Sequence, residues 1–141
     1  MVNRAHWRRL AEERVKDAKL LLDGGQWAAA YDMAGYAIEC GLKACVLAYV
    51  EANPDIVYRE RRYSEKCWTH DIGALVEAGG LESIRRADAD ANPLLALNWV
   101  IVQNWDEQTR YQFKSEQDAK ELYEAVAHNV GGVLPWIRDR W

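Results

Sequence analysis

Residues 36–45 read YAIECGLKAC. Eight of these ten positions are apolar or small, and the remaining two, Glu39 and Lys43, carry opposite charges four residues apart. The stretch sits inside a longer segment, 26–52, that contains no Pro and only two Gly. Gly24-Gly25 precedes it and Asn53-Pro54 follows it. Both are helix boundaries, because glycine suits a helix end and the residue before proline avoids the helical region. At about 100° per residue, Trp27, Tyr31, Ala34, Ile38, Leu42, Cys45 and Tyr49 share one face. The opposite face, with Ala29, Met33, Cys40, Ala44 and Leu47, is no more polar. Before the last turn the only charges are Asp32, Glu39 and Lys43, which fall within about 40° of one another. A helix that is apolar nearly all round, with one narrow charged seam, is either central in a bundle or covered again by a second subunit. Glu39 followed by Lys43 is the favourable order for an i,i+4 pair. If the pair is buried it needs further partners to offset desolvation. A distant arginine such as Arg110 is the natural candidate.

The flanking sequence continues the helical pattern. In 4–23, Trp7, Leu10, Ala11, Arg14, Ala18, Leu21 and Leu22 recur mostly at three- and four-residue steps, and Gly24-Gly25 closes the helix. Residues 55–66 are polar, basic and aperiodic, and read as a connection. Thr69 is placed as the N-cap of a short helix, HDIGALVEAG, closed by Gly79-Gly80. A further turn or two is expected over 81–87. Asn92-Pro93 opens the apolar segment LLALNWVIVQNW with proline at the first helical position. Its β-branched VIV also allows a strand, but the helical context favours a buried helix. After a connection over 106–114, SEQD at 115–118 is a capping pattern for the last helix. Gly131-Gly132 and Pro135 should bend or end that helix. Trp136, Ile137 and Trp141 then form an apolar tail, to pack on the bundle or on a partner. Residues 1–141 are therefore expected to form one domain, an all-α antiparallel up-down bundle of four to five helices.

Composition excludes several function classes. The 141 residues are 50% hydrophobic and 28% charged, which is enough to build one core and too apolar for a disordered chain. A formal net charge of −4 argues against coating nucleic acid through bulk charge. A local basic patch at Arg59, Arg61 and Arg62 remains open. Seven Trp and seven Tyr against one Phe suit half-buried and interfacial positions. Cys40, Cys45 and Cys67 lack metal-site spacing, and on one helix Cys40 and Cys45 lie about 140° apart. They read as reduced thiols of a cytoplasmic protein. The N-terminus lacks the apolar segment of a signal peptide, and no run of about 18 apolar residues marks a membrane span.

Three segments together resemble the HEPN domain family. AAAYDMAGYAIECGLKACV resembles the second helix of that domain, through Ala34, Tyr36 to Glu39 and Leu42 to Ala44. THDIGALVEAG (69–79) resembles the element that opens the next helix. WDEQTRY (105–111) is similar to the Trp-x4-Arg-Tyr element before the last helix. The resemblance implies an up-down helical bundle that usually forms a homodimer. Many members are RNA-cleaving toxins or defence effectors; others are non-catalytic partners of small nucleotidyltransferases. The ribonuclease branch carries Arg, four to six residues, then His. Here Arg4 and His6 are separated by one residue, Arg62 and His70 by seven, and Arg61 and His70 by eight. His128 has no arginine close upstream. That motif is absent.

The leading expectation is a HEPN-like binding or regulatory module in a toxin–antitoxin or defence context. Its ligand would be a nucleotide, an RNA or a partner protein such as a small nucleotidyltransferase, without a cofactor. The candidate ligand-binding residues are Glu39, Lys43, His70, Arg110 and Tyr111. Arg110 and Tyr111 could stack on a base. The alternatives are a ribonuclease with a divergent site, using His70 with Arg62 or Arg110, and a purely structural interaction domain. Glu124 and His128 have a two-ligand metal spacing, but a metal site needs a third ligand, so none is assigned.

Overall fold

The computed structural model describes residues 3–56, 65 and 67–141. Within them the chain is helical, with seven α-helices and no strand. Helix α1 spans Arg4–Asp23, and the Asn3 side chain caps it by accepting from the His6 backbone N–H. Ala11, Val15, Ala18 and Leu22 form its buried stripe. Gly25, at φ 75°, takes the left-handed conformation that a side chain would strain, and the chain reverses into α2, Trp27–Ala52.

Every residue from Ala37 to Leu42 is buried. That run exceeds one helical turn, so the middle of α2 is enclosed on all sides within a single chain. Its cover comes from α1, from three later helices and from a 3-10 turn. Close approach is built in by glycine: a Cβ on Gly41 would stand 2.9 Å from Ile137, and one on Gly35 would stand 2.2 Å from the Trp105 indole. By length and composition α2 passes as a membrane span, a test that a buried core helix also passes.

Helix α3 is Ile72–Ala78. Its N-cap is Asp71, whose carboxylate accepts from Ala74 N–H. Thr69 is thus not the cap; its hydroxyl accepts from Asp71 N–H and forms a turn just upstream. Helix α4, Glu82–Ala91, is longer than the turn or two expected. It buries no residue and is braced by Arg85 and Arg86, both on Glu82. Helix α5, Pro93–Gln103, starts at Asn92, whose side chain accepts from Leu95 N–H, and takes in VIV as helix. A 3-10 turn over Glu107–Tyr111 interrupts the expected connection. Ser115 and Asp118 form the anticipated capping box of α6, Glu116–Ala127.

Gly131-Gly132 separate α6 from α7, Val133–Arg138. Pro135 does not end a helix. It sits in the first turn of α7, where no intrahelical N–H bond is lost. The tail packs back on its own bundle. Trp136 and Ile137 are buried, the Trp136 indole N–H donates to Asp88 at 2.8 Å, and Arg140 reaches the same carboxylate at 2.9 Å. The core therefore centres on α2, and the charged seam of α2 is met by the segment before α3 and by the 3-10 turn.

Candidate functional site

Glu39 is 4% exposed in the most apolar part of the chain. Two basic side chains reach it. Lys43 Nζ, one turn along, donates to Oε2 at 3.4 Å, and His70 Nδ1 lies 2.6 Å from Oε1. The other ring nitrogen of His70, Nε2, is 2.8 Å from Glu107 Oε2 in the 3-10 turn. Arg110 Nη2 approaches the second oxygen of Glu107 at 4.0 Å, and its guanidinium lies over the Tyr111 ring at 4.9 Å. The result is an alternating chain: Lys43, Glu39, His70, Glu107, Arg110. An ionised carboxylate accepts but cannot donate, so both His70 contacts are hydrogen bonds only when both ring nitrogens carry protons. In that state the charges alternate along the whole chain.

The sequence candidates are thus largely brought together. His70, Glu39, Lys43 and Arg110 share one network, with Tyr111 under Arg110. The expected Glu39–Arg110 pair does not form, because Glu107 and His70 stand between them. Glu107 was not a sequence candidate; its only signal was its position three residues before Arg110. Arg62, and the basic patch with Arg59 and Arg61, lie outside the described residues.

A second contact along the seam fixes the 3-10 turn. The Thr109 hydroxyl lies 3.1 Å from Asp32 Oδ1 and 2.7 Å from the Asp106 carbonyl. Burial pushes the Asp32 carboxyl above its ordinary pKa, while the Thr109 bond, Lys114 and Arg110 act the other way. The turn is also held by Trp105, whose ring meets Tyr36 edge-on at 5.0 Å and 74°. His128 is accounted for locally: its Nδ1 accepts from the backbone N–H of Val130 and Gly131. Among the described residues no three His, Cys, Asp or Glu side chains are grouped to hold a metal ion.

All three cysteines are free. Burial pushes the Cys40 thiol up to about 11 and the Cys45 thiol up to about 12, so neither supplies thiolate near neutral pH. Cys67 is only half-buried, with a smaller upward push from burial. Iodoacetamide at pH 8 is therefore expected to label Cys67 alone in the folded protein and all three cysteines in urea. Intact and peptide mass spectrometry distinguish these outcomes, and rapid native labelling of Cys40 or Cys45 would contradict the packing.

These features define an all-helical bundle built on a two-helix hairpin, with an ionic network on its second helix. The model of the HEPN domain matches residues 5–56, which span that hairpin. The match covers that hairpin, 52 of the 141 residues, and leaves the later helices outside it. No curated protein and no solved structure matches the chain.

Proposed function

We propose that this protein is a non-catalytic HEPN module that assembles as a cytoplasmic homodimer and engages a partner protein. The observation that carries this reading is the engagement of His70 at both ring nitrogens by Glu39 and Glu107. A general base needs a ring nitrogen free to take a proton, and His70 offers none in this arrangement. The absence of the Arg-x4-6-His spacing supports the same reading. So does an exposed, uncharged stripe on α5, where Leu94, Leu97 and Val100 follow one another at three-residue steps. Such a stripe suits helix-on-helix assembly. A small nucleotidyltransferase is the partner class that the family resemblance suggests.

One observation favours the ribonuclease alternative: His70 and Arg110 contact the two oxygens of the same carboxylate, Glu107. Two measurements decide between them. Light scattering at high micromolar concentration should give twice the chain mass, and Leu97→Asp should reduce it to one. Mixed RNA incubated with excess protein should stay intact. A monomeric wild type would refute the assembly, and cleavage abolished by both His70→Ala and Arg110→Ala would establish the enzyme instead.

A further inference from the structure

The network ends, on its Lys43 side, at a pocket that the ionic chain does not fill. The pocket measures about 300 Å³ and is lined by Trp7, Lys43, Val46, Leu47, Cys67 and Trp68. That volume is at the small end of the range for ligand sites, about 300–1,000 Å³. The walls are aromatic and aliphatic. Among the described lining residues Lys43 supplies the one charged group. Its ammonium is poised over the Trp7 ring at 4.9 Å and touches Glu39 at 3.4 Å. An ammonium has three N–H donors, and among the described residues Glu39 is its one hydrogen-bond acceptor. Against the described residues, donor capacity is left on a side chain only 12% exposed. Trp68, at the rim, is 84% exposed, so its indole offers an aromatic face at the pocket mouth.

We propose that this pocket binds a small aryl carboxylate, its ring between the Trp7 and Trp68 side and the aliphatic wall, and its carboxylate on Lys43. The chemistry of the lining selects this class. Lys43 offers donors and no acceptor, so a nucleobase, with its own N–H groups, would leave donors unpaired against an apolar wall. A nucleotide phosphate would bring two negative charges to an ammonium already shared with Glu39. A monoanion with an apolar body matches both the one cation among the described lining residues and the wall. The site is independent of the assembly proposed above, which uses α5.

The test is calorimetric titration of the full chain with 3-phenylpropionate, its neutral amide 3-phenylpropionamide, and AMP. Saturable binding of the acid is expected, about tenfold tighter than the amide because the Lys43 contact is charge-assisted. Lys43→Met should remove that preference. Trp68→Ala should weaken the acid severalfold without moving the melting temperature, since its side chain is largely in water. Bound acid should also slow iodoacetamide labelling of Cys67. Absence of saturable acid binding, equal affinity for acid and amide, or AMP binding that depends on Lys43 would each overturn the proposal. Because Trp68→Ala and Cys67 protection do not disturb the buried pair, a destabilised Lys43→Met variant leaves the test intact.

Discussion

Gly35→Ala is expected to destabilise the protein by about 3 kcal/mol, the upper part of the range for overpacking a filled core. An added Cβ would lie 2.2 Å from Cδ2, Cε2 and Nε1 of Trp105 at once. Those atoms belong to one rigid ring, which cannot swing a terminal methyl aside. The ring is itself confined, being 2% exposed and set edge-on to Tyr36. Relief would require moving the start of the 3-10 turn, and with it Glu107 and Thr109. A second substitution makes the cause testable. Trp105→Ala alone should cost about 3–5 kcal/mol through the cavity it leaves. In that background Gly35→Ala should change sign and stabilise, by up to about 1 kcal/mol, because Ala is the better helix former once the ring is gone. Urea midpoints for the four proteins of this cycle give the coupling directly. If Gly35→Ala destabilises equally with and without Trp105, the collision with the indole is not the reason for glycine at this position.

Gly35 also shows what could be read from the sequence and what could not. The helical period, the glycine pairs, Asn92-Pro93 and the SEQD box are local signals, and they located α1 and α2, and the starts of α5 and α6, within a residue or so; the ends of α5 and α6 come two to three residues earlier than read. Local signals failed where stability is supplied by something other than an apolar stripe. Helix α4 buries nothing and is held by i,i+3 and i,i+4 ion pairs on Glu82, so hydrophobic periodicity understated it. Thr69 and Asp71 are both plausible caps two residues apart, and only the backbone bond to Ala74 separates them. The site was half legible. Glu39, Lys43, His70 and Arg110 are chemically conspicuous and do converge on one network. Their wiring was not legible, because it depends on how the 3-10 turn presents Glu107. Trp105 carries the family resemblance of its segment and is placed by shape, against a glycine one turn from the seam. A sequence pattern names both residues and cannot say that they touch.

The opposite expectation holds for the seam itself, where charge and not volume is decisive. Glu39→Ala should cost about 3 kcal/mol, the lower part of the range for breaking a buried pair. It leaves Lys43, 12% exposed, with no carboxylate among the described residues, and it frees one nitrogen of His70. The loss stays near the lower bound because the His70 side chain is 51% exposed and can rehydrate. Glu39→Gln keeps the shape and one acceptor, and should cost less, about 1–2 kcal/mol. The informative variant removes both charges. Glu39→Met with Lys43→Met replaces the pair by apolar groups of similar length in an apolar helix, leaving neither desolvated charge unmatched. It should recover most of the stability lost by Glu39→Ala, as replacement of a buried ion pair by packed side chains commonly does. Urea denaturation measures all three. Recovery would mean that Glu39 and Lys43 contribute little net stability as a pair, and that their physical role in this bundle is to fix where the segment before α3 and the 3-10 turn dock. Failure of the double variant to recover, with a destabilisation at least as large as that of Glu39→Ala, would mean instead that the bond from His70 to Glu39 is the dominant contribution. The docking of His70, and not the pair within α2, would then hold the network together.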